Sequence, residues 1–219
     1  MSICLAIDTT ARRGSLAIAD GDRILASRVL EPSDGFAAVV YSEAASLLET
    51  AGCGLAAVDV FAAASGPGSF TGVRVGLTAV KALAEGGGKA VVPVSNLRAL
   101  ASMAVAARTA AVLDARRGEI YAAVFGDKGD ELIPESAFEW DAFRQQAGDA
   151  LFVATSESVF GPEGTAPLPA SSRRLIVENL AEPIARLANR STQALPPELV
   201  EPNYIRRPDA ERNWKSPLA

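Results

Sequence analysis

Two copies of one short pattern lie in this chain of 219 residues, and this internal repeat limits the possible folds more than any other feature. The copies run through residues 6–18 and 111–124. In each, an apolar strand ends in an aspartate (Asp8 or Asp114), a turn contains Arg-Arg-Gly, and an apolar strand returns. Because the second copy follows a complete α/β unit, we interpret the repeat as a duplicated lobe.

The first half of the chain predicts a three-stranded antiparallel meander followed by alternating helices and strands. Strands are predicted at residues 3–7, 15–19, 24–30, 58–64 and 90–94. Helices are predicted at residues 34–51, 75–85 and 95–107. This order is typical of an α/β domain, and we place a boundary near residue 108, which gives lobes 1–108 and 109–219.

The second half predicts a degenerate version of the same lobe. After the repeated hairpin, the pattern predicts only a short helix beginning at Trp140, a strand over 151–154 and a last helix over 177–190. The proline-rich tail from residue 196 onward is expected to be extended along the body of the protein.

A glycine-rich segment from Ser65 to Gly76 leaves a predicted strand and enters a predicted helix. Free N–H groups and the positive end of a helix dipole meet at such a point, which suits an anion. Ser69 and Thr71 can cap the helix start. No lysine follows in the Gly-Lys-Ser/Thr register, so this is not the phosphate loop of common nucleotide hydrolases. A tight turn that binds nothing is an equally simple interpretation.

Composition excludes several kinds of chemistry. The chain has no histidine, which rules out Ser-His and Cys-His catalytic pairs and zinc sites that need imidazole. Its net charge of −5 argues against nonspecific binding to nucleic acid. The two cysteines indicate reduced, packed thiols, and neither a signal peptide nor an apolar membrane span is evident. We expect a cytoplasmic protein without a metal site.

Five segments together resemble one family, and the resemblance covers essentially the whole chain. The segments are Ile7–Thr10, Gly66–Arg74, Val94–Leu97, Leu113–Tyr121 and Glu201–Arg206. In this order they closely resemble the bacterial TsaB family, also called YeaZ. The duplicated unit is similar to the two-lobed fold shared by actin, Hsp70 and sugar kinases (ASKHA), with a degenerate second lobe here. One departure is that Pro32–Phe36 lacks the histidine that many relatives carry before the first helix.

The resemblance implies a role in forming threonylcarbamoyladenosine at position 37 of tRNAs that read ANN codons. It implies a non-catalytic activator that pairs with a catalytic paralogue, TsaD, joined by the ATPase TsaE, with tRNA reached only through the complex. It implies no cofactor of its own and leaves open ATP or ADP at a subunit junction. The alternative is a stand-alone phosphotransferase of the same superfamily. The older glycoprotease label is chemically implausible without histidine.

Candidate nucleotide- or anion-binding residues lie in the two repeated turns and the glycine-rich segment. They are Asp8, Thr9, Thr10, Gly66, Gly68, Ser69, Thr71, Arg74 and Asp114. In active members of the superfamily the aspartates hold a metal–nucleotide complex, but here we favour turn aspartates that cap backbone N–H groups. Arg74 is a candidate for a phosphate, a partner carboxylate or simple solvation.

Candidate partner-binding residues lie on the first two helices. They are Ala37, Val40, Tyr41, Ala44, Gly72, Gly76 and Ala79. Small residues four apart let another helix approach closely, either from a partner or from within the lobe. If the approaching helix belongs to a partner, Gly76→Leu should abolish pairing, and the isolated chain should form a homodimer through the same face. The turn arginines Arg12, Arg13, Arg116 and Arg117 either meet tRNA phosphates or a nucleotide, or are solvated.

Overall fold

Two mixed five-stranded sheets with the same strand order form the framework of the protein. The computed structural model describes residues 2–161 and 165–206. The first sheet has the order β3-β2-β1-β4-β5, and its strands are β1 (Ile3–Asp8), β2 (Gly14–Asp20), β3 (Arg23–Leu30), β4 (Val60–Gly66) and β5 (Ala90–Ser95). The second has the order β10-β9-β6-β7-β8, and its strands are β6 (Arg108–Arg116), β7 (Glu119–Gly126), β8 (Glu131–Glu139), β9 (Leu151–Ala154) and β10 (Arg174–Ile176).

The matching topologies confirm the duplication. In each sheet the first strand pairs antiparallel with the second and parallel with the fourth, so β6 repeats the position of β1. The prediction that the second lobe is degenerate is wrong for its sheet, because β8 and β10 complete it. The sequence pattern did not predict β8 because the strand contains Pro134 and several acidic residues, and it did not predict β10 because that strand has only three residues. In the described residues, the second half of the chain therefore has a complete sheet but fewer α-helices than the first half, two against three.

Five helices cover the sheets in the described part of the chain. They are α1 (Phe36–Thr50), α2 (Phe70–Gly87), α3 (Asn96–Ala101), α4 (Trp140–Ala147) and α5 (Ala181–Arg190). The helix α2 begins five residues before the predicted start, because the Ser69 hydroxyl caps it by accepting a hydrogen bond from the Gly72 N–H. Within the described residues, no helix combines the length and the hydrophobicity that a membrane span needs.

The central strand β1 explains why the sequence opens on an unbroken apolar run. Cys4 and Ala6 face one core with α3, α5 and the second sheet, whereas Leu5 and Ile7 face another core with α1 and α2. Alternate residues of a strand point to opposite faces, so a strand covered on both faces is apolar at every position. The sheet is therefore sandwiched, with α1 and α2 on its outer side.

A helix from the second half of the sequence packs on the first sheet. The strand β6 begins the second sheet at Arg108, whereas α5, which comes later in the chain, packs on β1, β2 and β4 of the first sheet. The Ala181 N–H donates to the Ser15 hydroxyl (2.9 Å), and Arg190 contacts both carboxylate oxygens of Asp22 (2.8 and 2.7 Å). The range 109–219 therefore contributes a helix to the packing of the first sheet.

Candidate functional site

The Asp8 turn at the end of β1 is closed on itself. One carboxylate oxygen of Asp8 accepts hydrogen bonds from the Thr10 N–H (2.9 Å) and the Thr10 hydroxyl (2.7 Å). The Asp8 side chain is almost fully buried, and this burial raises its pKa above the ordinary value, although the hydrogen bonds from Thr10 oppose the rise. Asp8 therefore acts in this structure as a turn-capping residue.

The glycine-rich loop packs directly on this turn. The Ser69 N–H donates to the Thr10 carbonyl (2.7 Å), and the Thr9 hydroxyl donates to the Gly72 carbonyl (2.7 Å). A Cβ atom on Gly68 would lie 2.8 Å from both the Thr10 carbonyl oxygen and its Cβ atom. The glycines are thus needed for the approach of two backbone segments within the chain.

Asn96 completes the buried network from the start of α3. Its amide nitrogen donates to the Thr10 hydroxyl (2.6 Å), and its amide oxygen accepts from the Gly66 N–H (3.2 Å). The N–H groups of Gly66 and Ser69, which an anion would need, are already donated to acceptors of the chain itself. This arrangement favours a structural turn over an anion cradle.

The other candidate anion-binding residues lie elsewhere. Thr71 and Arg74 are exposed on the outer side of α2. Asp114 is exposed in the second repeated turn, where its carboxylate accepts from the Arg116 N–H (2.7 Å), as Asp8 accepts from Thr10. Only Asp8, Thr9, Thr10, Gly66, Gly68 and Ser69 are brought together. No group of acidic residues or cysteines in the described ranges could hold a metal ion.

Two of the four turn arginines lie beside carboxylates. Arg12 forms an ion pair with Glu31 (2.8 Å), and Arg13 lies 3.7 Å from Glu178. Both pairs are exposed, so they contribute little to stability, but they reduce the positive field that a phosphate would meet.

The free energy of unfolding of Asp8→Asn should increase relative to that of wild type as the pH rises. The native state holds the Asp8 proton more tightly than the unfolded chain, so the free energy of unfolding of wild type falls as the pH rises from the ordinary aspartate pKa of 3.8 through the raised pKa. The difference should grow by about 1.4 kcal/mol for each unit by which the pKa is raised. Urea unfolding of both proteins across acidic to neutral pH measures it, with the exposed Asp34→Asn as control. A pH-independent difference would contradict the prediction.

A second feature is an open groove between α1 and α2 with a volume of about 380 Å³. Its lining is mostly apolar and comprises Ala37, Val40, Tyr41, Phe70, Thr71, Arg74, Val75, Thr78 and Ala79. Tyr41 and Phe70 are large side chains that remain 47% and 36% exposed there. Aromatic side chains at the mouth of an apolar groove are typical of protein interfaces.

The groove contains four of the seven predicted partner-binding residues: Ala37, Val40, Tyr41 and Ala79. Ala44 is instead buried in the core beneath α1. The prediction that Gly72 and Gly76 open the surface to a partner helix is wrong, because both face the chain's own Asp8 turn. A Cβ atom would lie 2.0 Å from the Thr9 carbonyl oxygen at Gly72 and 2.7 Å from the Thr9 hydroxyl at Gly76.

One residue of the groove lining, Arg74, contacts two aromatic side chains. The Arg74 guanidinium lies 3.8 Å over the Phe70 ring, and its Nε donates to the Tyr204 hydroxyl (2.9 Å). Phe70 and Tyr204 are stacked, with ring centroids 5.2 Å apart. Sequence reasoning did not place Tyr204 beside Arg74, since no local pattern joins positions 130 residues apart.

The described part of the tail, residues 196–206, runs along the body of the protein as expected, and this path brings Tyr204 to Arg74. Leu195 pairs with Val91 of β5, and the Asn203 N–H donates to the Ser65 carbonyl (2.7 Å). The Asn203 amide nitrogen also donates to Glu135 of β8 (2.8 Å), and Arg206 forms an ion pair with Glu119. The tail therefore bridges the glycine-rich loop and the second sheet. Residues 207–219 lie outside the described part.

Together, the duplicated sheets define a two-lobed α/β protein with the actin-like architecture. Two solved structures share the fold at 28% identity, "an uncharacterized protein with similarity to peptidase YEAZ from Pseudomonas aeruginosa" and "YeaZ from Pseudomonas aeruginosa". The matches cover 94% and 93% of this chain and 100% of each relative, with TM-scores of 0.76 and 0.74.

Comparisons of sequence point the same way. The model of the family "TsaD: tRNA N6-adenosine threonylcarbamoyltransferase" matches residues 33–150. The TsaB protein of Haemophilus influenzae is 46% identical over 79 residues, and that of Escherichia coli is 35% identical over 121 residues. The first match covers 34% of this chain and 34% of that relative, and the second covers 53% of this chain and 52% of that relative.

The TsaB protein of Bacillus subtilis matches over 96% of both chains at 27% identity. The chain therefore belongs to the family that the matching model describes and, within it, to the TsaB group, also called YeaZ.

Proposed function

We propose that this chain is a non-catalytic subunit in the formation of threonylcarbamoyladenosine at position 37 of tRNAs that read ANN codons. It acts by pairing with a TsaD-type catalytic subunit and holding that subunit in its active shape. The three relatives described by sequence are each named "tRNA threonylcarbamoyladenosine biosynthesis protein TsaB", which supports the pathway. The observation that carries the role is the open apolar groove between α1 and α2.

A supporting role rather than catalysis agrees with the closed glycine-rich loop. Two of its N–H groups donate to Thr10 and Asn96, and Asp8 is occupied by Thr10. The chain also has no histidine to serve as a general base near neutral pH. These features disfavour the stand-alone phosphotransferase, which needs an open site for the phosphates of its nucleotide.

Pairing through the groove agrees with its shape and chemistry. Two adjacent helices separated by an apolar channel fit the apolar face of a partner helix. Left in water, the exposed rings of Tyr41 and Phe70 are unfavourable, so an occupant that covers them gains free energy. The same reasoning supports a weaker homodimer of the chain alone.

The remaining parts of the proposal follow from this role. The chain has no cofactor of its own, and any ATP or ADP lies at a subunit junction, with the ATPase TsaE as the further partner. The complex reaches tRNA, and the chain works in the cytoplasm where tRNA is modified.

Reconstitution with the TsaD-type subunit of the same genome tests the proposal. The chain should form a complex on gel filtration and raise the yield of threonylcarbamoyladenosine, measured by mass spectrometry of digested tRNA, at least tenfold over the catalytic subunit alone. The chain alone with ATP should show no turnover. Absence of a complex, or ATP turnover by the purified chain without companions, would contradict the proposal.

A further inference from the structure

We infer that the groove selects a partner helix that presents a carboxylate to Arg74 beside an apolar face. This inference rests on the proposed function, since it takes the α1–α2 groove as the partner site. It adds the chemistry that distinguishes the correct partner from other apolar helices.

Arg74 is held in one position before any partner arrives. Its guanidinium rests on the Phe70 ring, its Nε donates to the Tyr204 hydroxyl, and Tyr204 is stacked on Phe70. An arginine has five N–H donors and stays charged at physiological pH. Within the described residues, only the Nε donor has an acceptor, so the two Nη atoms are free to bind a ligand. A side chain ordered in advance loses less entropy on binding.

The surroundings of Arg74 favour an anionic group on whatever covers the groove. Among the nine groove-lining residues, all of them in the described part of the chain, Arg74 is the only charged one. An uncharged helix laid in the groove would bury the guanidinium without a counter-charge, which is unfavourable. A helix carrying Asp or Glu at that point instead forms a charge-assisted pair, with both Nη atoms available for a two-oxygen contact.

A protein carboxylate fits this site better than a nucleic-acid phosphate. Binding of a phosphate backbone depends on several cations acting together, whereas the groove has a single cation among apolar side chains. The net charge of −5 also opposes a polyanion. The lone guanidinium in an apolar channel instead matches an amphipathic helix with one acidic position.

The same residue disfavours a second copy of the chain as occupant. The groove lining contains no acidic residue, so a copy that docks by the same face brings another arginine and no carboxylate. The homodimer therefore buries guanidinium groups without counter-charges, while the correct partner neutralises Arg74. Specificity in this form combines a favourable pair with a penalty for the wrong occupant.

Arg74→Met tests both the attraction to a partner carboxylate and the penalty against a second copy of the chain, because it keeps the apolar stem and removes the charge. The dissociation constant for the TsaD-type subunit should rise about 30-fold, measured by titration calorimetry, and its dependence on salt should weaken. Self-association, measured by sedimentation equilibrium, should strengthen or stay unchanged. Arg23→Met at the start of β3, which removes another exposed positive charge from a position outside the groove lining, should alter neither quantity.

Two further variants separate the inference from a structural effect. Tyr204→Phe keeps the stacked ring but releases Arg74, and should raise the dissociation constant about threefold. Arg74→Glu should prevent binding, and one Asp→Lys or Glu→Lys change on the partner should restore it. Thermal unfolding of each variant checks that the fold is intact.

The outcomes distinguish this inference from the proposed function. If wild type binds the TsaD-type subunit and Arg74→Met binds it equally well, the inference is overturned and the proposed function stands. Failure of every partner change to rescue Arg74→Glu also overturns it. If wild type does not bind that subunit at all, both fail.

Discussion

Gly72→Ala should destabilise the protein by about 3 kcal/mol or more, although it adds one methyl group. The new Cβ atom would lie 2.0 Å from the Thr9 carbonyl oxygen and 3.2 Å from the Thr10 Cα, and these are backbone atoms that no rotamer change can move. Relief would require the loss of the hydrogen bonds from Thr9 to Gly72 and from Ser69 to Thr10. For a chain of this size the melting temperature should fall by about 6–12 °C.

Gly86→Ala is the matched control for this prediction. Gly86 belongs to the same helix, and a Cβ atom there would meet no atom within 4 Å. Alanine is the better helix former, so the variant should gain about 0.5–1 kcal/mol. Thermal unfolding followed by circular dichroism compares the two variants. A Gly72→Ala protein that melts with wild type would show that the loop and the turn are not packed as described.

Ala37→Lys should abolish pairing with the TsaD-type subunit while leaving the fold intact. Ala37 is exposed and lines the groove, so the free chain tolerates a longer side chain. An occupant of the groove would bury the new ammonium group beside Arg74 without a counter-charge. An uncompensated buried charge costs about 3–5 kcal/mol, so the dissociation constant should rise more than about 100-fold.

Ala38→Lys provides the control for the groove variant. The neighbouring residue is also exposed on α1 but does not line the groove, so the two variants add the same charge and size at adjacent positions of one helix. Ala38→Lys should bind as wild type does, and both proteins should melt at the same temperature. Equal loss of binding in both would mean that the partner contacts a different face of α1.

Gly76→Leu illustrates the difference between the sequence pattern and the structure. The pattern predicts a variant that folds but does not pair. In the structure the added side chain would meet the Thr9 hydroxyl, so we expect a loss of the folded protein itself. A spacing of four on a helix shows that two small residues share a face, but it does not show what that face contacts.

The repeated turns show how far local patterns could predict the site. Both Asp8 and Asp114 accept a hydrogen bond from the residue two positions ahead, as a turn aspartate does. Sequence reasoning also favoured this capping role and identified the glycine-rich segment. It could not place Asn96, whose amide joins the turn to the loop, because nothing in its own segment points to Thr10.

The meander, the duplication and the apolar, histidine-free character of the chain could be predicted from its sequence, because they depend on strand periodicity, turn residues and composition. Three features could not be predicted in this way: the glycines face inward, α5 packs on the first sheet, and Tyr204 holds Arg74 in the groove. The two groups of features differ in the separation of the residues that they join. Turns and strand patterns act between near neighbours, whereas those three features join residues far apart in the chain, whose meeting depends on how the whole molecule packs.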